Sequence, residues 1–284
     1  MKIADRLHRL RINFDVTENL RRFVYIYLIE DGENVHLVDT GVDGAEALIA
    51  DYLGEIGRSP QDIGNILLTH SHPDHMGAAA ALKRLAPHSL ILAPAAESGW
   101  IEDIEEQFRQ RPIPNFHRLT GNSVSIDRRL APGDVVEAGP GLAIRAIDAK
   151  GHSHGSLAYL WVEAGVLFTG DAIPVAGDIP IFVSVTDSIH TLEAIRGLRG
   201  VSCLLPAWDE CIPAERVTEA VDSAKEHLAQ LAGAIRTVCR RHPNASDDER
   251  FRLVCDGLNL QALSGNPLFR RSVQAALSEE QSPA

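Results

Sequence analysis

Residues 67–78 read LLTHSHPDHMGA, so three histidines and an aspartate, His70, His72, Asp74 and His75, fall within six residues. Imidazole and carboxylate are the donor types that suit zinc, iron and manganese. Along an extended loop, side-chain alternation puts His70 and His72 on one side, where two imidazoles can grip one cation from neighbouring directions. Asp74 and His75 follow where the chain turns into a helix, so they aim elsewhere and suit a second cation. Pro73 stiffens the link between the two pairs. With 12 histidines in 284 residues, chance is a poor account of this stretch. His8, His36, His88, His117, His227 and His242 have no ligand spacing and read as surface or packing residues.

The elements that must hold the cluster follow from its flanks. NILLT (65–69) reads as a buried strand, and MGAAAALKRLA after the cluster as a helix. The ligands therefore sit on a strand-to-helix loop, a usual place for function. FVYIYLI (23–29) and VHLVD (35–39), joined by EDGEN, read as a hairpin, and TGVDG leads into a helix over about 45–56. SLILAPAAE reads as a strand and turn. Residues 97–120, with Pro112 and Pro114, read as an irregular polar loop or lid, and 97–120 and 174–190 as the pocket walls. SVSI, DVVEA, LAIRAID, SLAYLWVE and GVLFTG then read as strands, 188–199 as a helix and VSCLLP as a last buried strand. Pro213 suits a first helical position, and 214–241 carries one long helical pattern. SDDERF opens another helix with a Ser cap and early acids, and NPLFRRSVQAALSEE a last one. The expected division is a catalytic domain over 1–212 and a C-terminal helical extension over 213–284, an appendage or a homodimer contact.

Hydrophobic residues make up 45% of the chain, enough for a sizeable core, and the formal net charge is −12. That charge opposes long nucleic acid as a partner and leaves a small-molecule substrate. No run approaches the roughly 18 apolar residues of a membrane span, and the charged start has no apolar signal segment. Cys203, Cys211, Cys239 and Cys255 show no paired spacing and read as thiols of a reducing compartment, so the expected location is the cytoplasm.

The pattern H-x-H-x-D-H after a buried strand resembles the metallo-β-lactamase superfamily. Asp39 in LVDTG stands where that family has a structural aspartate, His152 in KGHSHGS matches its later histidine, and Asp171 in VLFTGD its bridging aspartate. The likeness covers roughly residues 20–210. It implies an α/β fold, an αββα sandwich with the site at one edge between two β-sheets. It also implies two divalent metal ions, zinc or else iron or manganese. His70, His72 and His152 would hold the first, and Asp74, His75 and Asp171 the second, with Asp171 bridging. A metal-bound hydroxide would attack a small ester, thioester, lactone or amide, with Asp74 as the catalytic residue that orients the water. Hydroxyacylglutathione hydrolases and lactonases are the nearest functional analogues.

One position departs from that pattern. Where the family ends its site with a further histidine, this chain reads LLPAWDECIP and places Trp208 there, with Asp209 next to it. An indole offers only an N–H donor and cannot ligate a metal. Three resolutions stand open: Asp209 substitutes as a ligand, His190 or His154 reaches in as a ligand or hydrogen-bond partner, or the second site is weak. Trp208 itself reads as packing or as the flank of a substrate pocket. The competing chemistries are phosphodiester hydrolysis, persulfide oxidation at a single iron, and a non-catalytic metal-binding scaffold.

Overall fold

Alternation with a period of two runs through the first long strands. The computed structural model describes residues 1–175 and 177–281. In it, β2 (Leu7–Thr17) buries Leu10, Ile12 and Phe14 and exposes Arg11, Asn13 and Asp15. In β3 (Leu20–Glu30), Val24, Ile26 and Leu28 face one apolar cluster while Tyr25, Tyr27 and Ile29 face another. Sequence alone places no strand at β2, because the arginines of its solvent face make the stretch look uniformly charged.

Seven strands form the first sheet in sequential order. These are β1 (Lys2–Ala4), β2, β3, β4 (Val35–Val38), β5 (Ile63–Leu67), β6 (Leu90–Pro94) and β7 (Arg128–Leu130). Pairing is antiparallel up to β4 and parallel from there to β7. In the second sheet β8 (Val135–Gly139), β9 (Leu142–Asp148), β10 (Leu157–Trp161) and β11 (Val166–Gly170) make an antiparallel meander. β12 (Cys203–Pro206) runs parallel to β11, and β13 (Ile212–Pro213) closes the edge. The inner faces meet through Tyr25, Tyr27 and Leu67 on one side and Tyr159, Phe168 and Leu205 on the other.

The outer face of the first sheet is covered by α1 (Ala45–Glu55), α2 (Pro73–Met76), α3 (Ala79–Leu85), α4 (Ser98–Glu102), α5 (Ile104–Gln110) and α6 (Phe116–Thr120). The second sheet carries α7 (Val185–Gly197), α8 (Val217–Arg241), α9 (Asp247–Gly257) and α10 (Pro267–Gln281). The result is a mixed αββα sandwich. Residues 97–120, expected to be irregular, form a 3-10 turn and three short helices, and residues 123–126, expected as a strand, join neither sheet.

The C-terminal helices form the fourth layer itself. Val221, Leu228, Leu231 and Ile235 of α8 share one buried cluster with Leu160, Leu167 and Leu204 of the second sheet, and Phe251 and Phe269 complete it. The helices expected as an appendage or a homodimer contact thus bury these apolar residues within the chain. Ser282, Pro283 and Ala284 of the expected extension, and Ala176 of the expected pocket wall, lie outside the described residues. Among the described residues no helix is long and apolar enough to cross a membrane.

Candidate metal centre

The site collects at the carboxyl ends of strands from both sheets. Asp39 follows β4, His70 and His72 follow β5, Asp171 follows β11 and Trp208 follows β12. His152 lies on the loop from β9 to β10. The two edges are tied together by Leu157 N–H donating to the Thr69 carbonyl at 2.9 Å and by Tyr159 Oη donating to the Leu68 carbonyl at 2.7 Å. His72 caps α2, with Pro73 at its first position, where a missing N–H costs nothing. The turn is pinned by Thr40, whose N–H and Oγ1 both donate to the His75 carbonyl, at 2.8 and 2.9 Å.

Two donor groups result. His70, His72, His152 and Asp171 form one, and Asp74, His75 and Asp171 the other, with the donor atoms of each group within 4.8 Å of one another. Asp171 belongs to both. Hydrogen bonds select the free nitrogen of each ring. His75 Nδ1–H donates to Asp39 Oδ2 at 2.8 Å, which leaves Nε2 facing Asp171 Oδ1 at 3.0 Å and Asp74 Oδ2 at 3.6 Å. His152 Nδ1–H donates to the Ile181 carbonyl at 2.8 Å, which leaves Nε2 at 2.9 Å from His72 Nδ1 and 3.2 Å from Asp171 Oδ2. Thr69 Oγ1 donates to Asp39 and so is free to accept from His70 Nδ1 at 3.0 Å. Such outer partners set ring orientation and tautomer at metal sites. His70 Nε2 is buried without a hydrogen-bond partner, and His75 Nε2 is buried against the Asp171 and Asp74 carboxylates, so the donor set fits divalent cations.

Electrostatics favours the ligating protonation state in one group and shows its charge balance in the other. Burial holds His70, His72 and His152 below the usual imidazole range, hence neutral at pH 7. Burial also raises Asp74. At His75 burial is outweighed by Asp171, Asp39 and Asp74, which push its value well up. Burial opposes the Asp171 carboxylate, but His75 and His152 hold it well below the usual carboxylate range.

Three residues that sequence does not single out hold this geometry. Glu97 is buried and accepts from Ser71 Oγ, from Ser153 Oγ at 2.6 Å and from the Gly155 N–H at 2.8 Å. It therefore braces the His70–His72 loop against the His152 loop. Its sequence setting, PAAES, carries no signal for that role. Gln107 Nε2 donates to the Ser71 carbonyl at 2.6 Å. Gly151 has φ +120°, and a Cβ there would stand 2.3 Å from the Ser188 nitrogen, so the turn before His152 requires glycine.

The open question at Trp208 has a specific geometry. Its Nε1–H donates to Asp171 Oδ1 at 2.9 Å, so the ring orients the shared carboxylate instead of ligating. Phe14 and Phe23 pack against it edge-on or tilted, and the Arg22 guanidinium stacks on it at 4.6 Å. Asp209 is exposed and accepts from the Glu210 N–H at 2.7 Å, outside both donor groups, because the chain beyond Trp208 turns to solvent. His190 is exposed on α7 and also stands outside them. His154 is exposed beside Trp100, with ring centroids 6.3 Å apart, and lines a cavity shared with His72 and His152 rather than joining the ligands.

A buried His/Asp cluster held at one edge of an αββα sandwich defines a metal-dependent hydrolase. The sequence profile of the metallo-beta-lactamase superfamily matches residues 20–200, and the chain belongs to that superfamily. A hydroxyacylglutathione hydrolase of Aeromonas salmonicida is 26% identical over 231 residues, spanning 80% of this chain and 78% of its own. The probable metallo-hydrolase YybB of Bacillus subtilis is 29% identical over 189 residues, spanning 64% and 73%. Among solved structures, a metallo-beta-lactamase family protein of Thermus thermophilus superposes with a TM-score of 0.75 at 20% identity. It covers 98% of this chain and 95% of its own, so the shared fold includes the helical layer.

Proposed function

We propose that the chain hydrolyses a small carboxylic ester, thioester, lactone or amide at a centre of two divalent cations, zinc in the first instance. The observation that carries this is the pair of buried donor groups sharing Asp171. His70, His72 and His152 would hold one ion, and Asp74 and His75 the other. When bound, such ions supply a water activated near neutral pH and an electrophile for the carbonyl oxygen. The chain's own part is positional. Asp74, less buried than its histidine neighbours, orients the attacking water and takes its proton. Asp39 fixes the His75 ring, Glu97 keeps the two ligand loops in register, and the Trp208 N–H holds Asp171. The hydroxyacylglutathione hydrolases among the relatives make a thioester the first substrate class to try. Four free cysteines support a reducing, cytoplasmic setting.

The test is metal analysis by plasma mass spectrometry followed by a panel of esters, thioesters, lactones and amides. Two ions per chain and turnover of a carboxylic substrate are expected. Cleavage of bis-p-nitrophenyl phosphate with no carboxylic turnover would overturn the reading in favour of a phosphodiesterase. A second reading rests on Trp208 in the place of a ligand: a single iron oxidising persulfides. One iron per chain, with oxygen consumed when a persulfide is added, would establish it.

A further inference from the structure

A cavity of about 380 Å³ beside His72 and His152 is lined by a buried guanidinium that no carboxylate touches. Arg111, just after α5, is 7% exposed and lines this cavity. Its Nη1 is buried without a hydrogen-bond partner, and among the described residues its guanidinium enters no ion pair. A second cation, Arg271 of α10, lines the same cavity, and its Nη2 donates to the Gln110 carbonyl at 2.5 Å. Two guanidinium groups without a carboxylate contact form an unfavourable arrangement in the folded chain alone. Burial, with Arg271 adding to it, lowers Arg111 to about 10, so it stays charged at neutral pH. The neighbouring groove against Trp208 differs, because its Arg22 is paired with Asp178 inside the chain.

Asp74, Glu97 and Asp171 act on the Arg111 charge without touching it. Asp74 and Asp171 belong to the metal donor groups and Glu97 is held by Ser71, Ser153 and Gly155, so with cations bound none of them is free to pair with the guanidinium. We propose that Arg111, assisted by Arg271, binds an anionic group of the substrate, a carboxylate or a phosphate, on the molecule whose carbonyl faces the metal centre. This rests on the hydrolase reading above. The guanidinium fork matches both oxyanions, and a dry setting strengthens the contact. Phe182, Val183 and Leu268 give one part of the cavity an apolar lining and Ser153, Ser272 and Gln274 a polar one, so the anion would sit on a short body of mixed polarity. At about 380 Å³ the cavity lies near the small end of the range for ligand sites.

The test uses the metal-loaded full chain, Arg111→Met and Arg111→Lys. Inorganic phosphate and succinate are titrated while the melting temperature is followed, and one neutral and one carboxylate-bearing ester of the same acyl group are assayed. One of the two anions should raise the melting temperature of the native chain, and which one identifies the group. In Arg111→Met that anion should bind at least about tenfold more weakly, with partial rescue in Arg111→Lys. The ratio of kcat/KM for the charged over the neutral ester should fall by at least about tenfold. The Met variant should melt no lower than the native chain, since it loses an unpaired buried charge. Unchanged anion affinity in Arg111→Met would place the anion on the metals and overturn the proposal. So would a lower melting temperature in that variant, which would mark Arg111 as structural. If the native chain cleaves neither ester but keeps its Arg111-dependent anion binding, the hydrolase reading fails and the anion site stands.

Discussion

Asp39 holds a left-handed backbone, φ 63°, at a position without glycine, and its carboxylate receives three donors: the Thr69 N–H, Thr69 Oγ1 and His75 Nδ1–H. Strain of that kind persists where surrounding contacts over-determine it. Loss of the carboxylate by Asp39→Ala should free the His75 ring and weaken the second ion by about 10–100-fold, read by competition with a chelator. His72→Ala removes a donor from the first group, so bound metal and turnover should both be lost while the far-ultraviolet circular dichroism spectrum is kept. At Trp208 the natural chain has a hydrogen-bond donor to Asp171 where the wider family has an imidazole. Trp208→His should therefore tighten the second ion in the same competition. An unchanged affinity would mean that the shared carboxylate, not ligand number, limits that site.

The turn between β3 and β4 shows how one short connection stabilises a hairpin. Asp31 accepts from the Asn34 N–H at 2.6 Å, the Glu33 N–H at 2.8 Å and His36 Nε2 at 3.0 Å. Burial works against this carboxylate, but these donors outweigh it and lower it from 3.8 to about 2. A depressed carboxylate stabilises fully above its unfolded value and loses that contribution as pH falls from about 4 to about 2. The shift corresponds to about 2 kcal/mol. Asp31→Ala should lower the unfolding free energy in urea by about that amount at pH 7 and flatten its acid limb. Burial holds His36 below the usual imidazole range, so its neutral form is the folded one and acid below about pH 6 works in the same direction. At the site itself, Glu97→Ala should leave all six ligands in place yet lower metal affinity by about tenfold or more, because the two ligand loops lose their common brace.

The fourth layer decides whether the sandwich survives. Phe269 and Phe251 are fully buried, with ring centroids 5.9 Å apart, between the helices that cover the second sheet. Phe269→Ala should cost about 3–5 kcal/mol of stability in urea unfolding, from lost burial and the cavity left behind. Truncation after Arg241 would take Phe251, Phe269 and Val273 out of the cluster that buries α8 and remove the Arg271 wall of the cavity. Its expected outcome is an aggregating, inactive chain and not a soluble active monomer, judged by gel filtration and metal-dependent turnover.

The ligand stretch is legible in the sequence because His70, His72, Asp74 and His75 are neighbours on one loop, and local backbone geometry suffices to group them. Strands β3 to β5 and the cap at Ser246 are legible for the same reason, since period and capping are local properties. β2 is hidden because its exposed residues are charged, and only pairing with β3 along its length shows which face is buried. Glu97 joins Ser71 and Ser153 across 26 and 56 positions of chain, and Arg271 meets Gln110 across 161. Such contacts exist only once both sheets have packed, because a buried side chain takes its role from neighbours that chain order does not name. The same holds for Trp208: sequence shows that it cannot ligate, and packing turns its N–H onto Asp171.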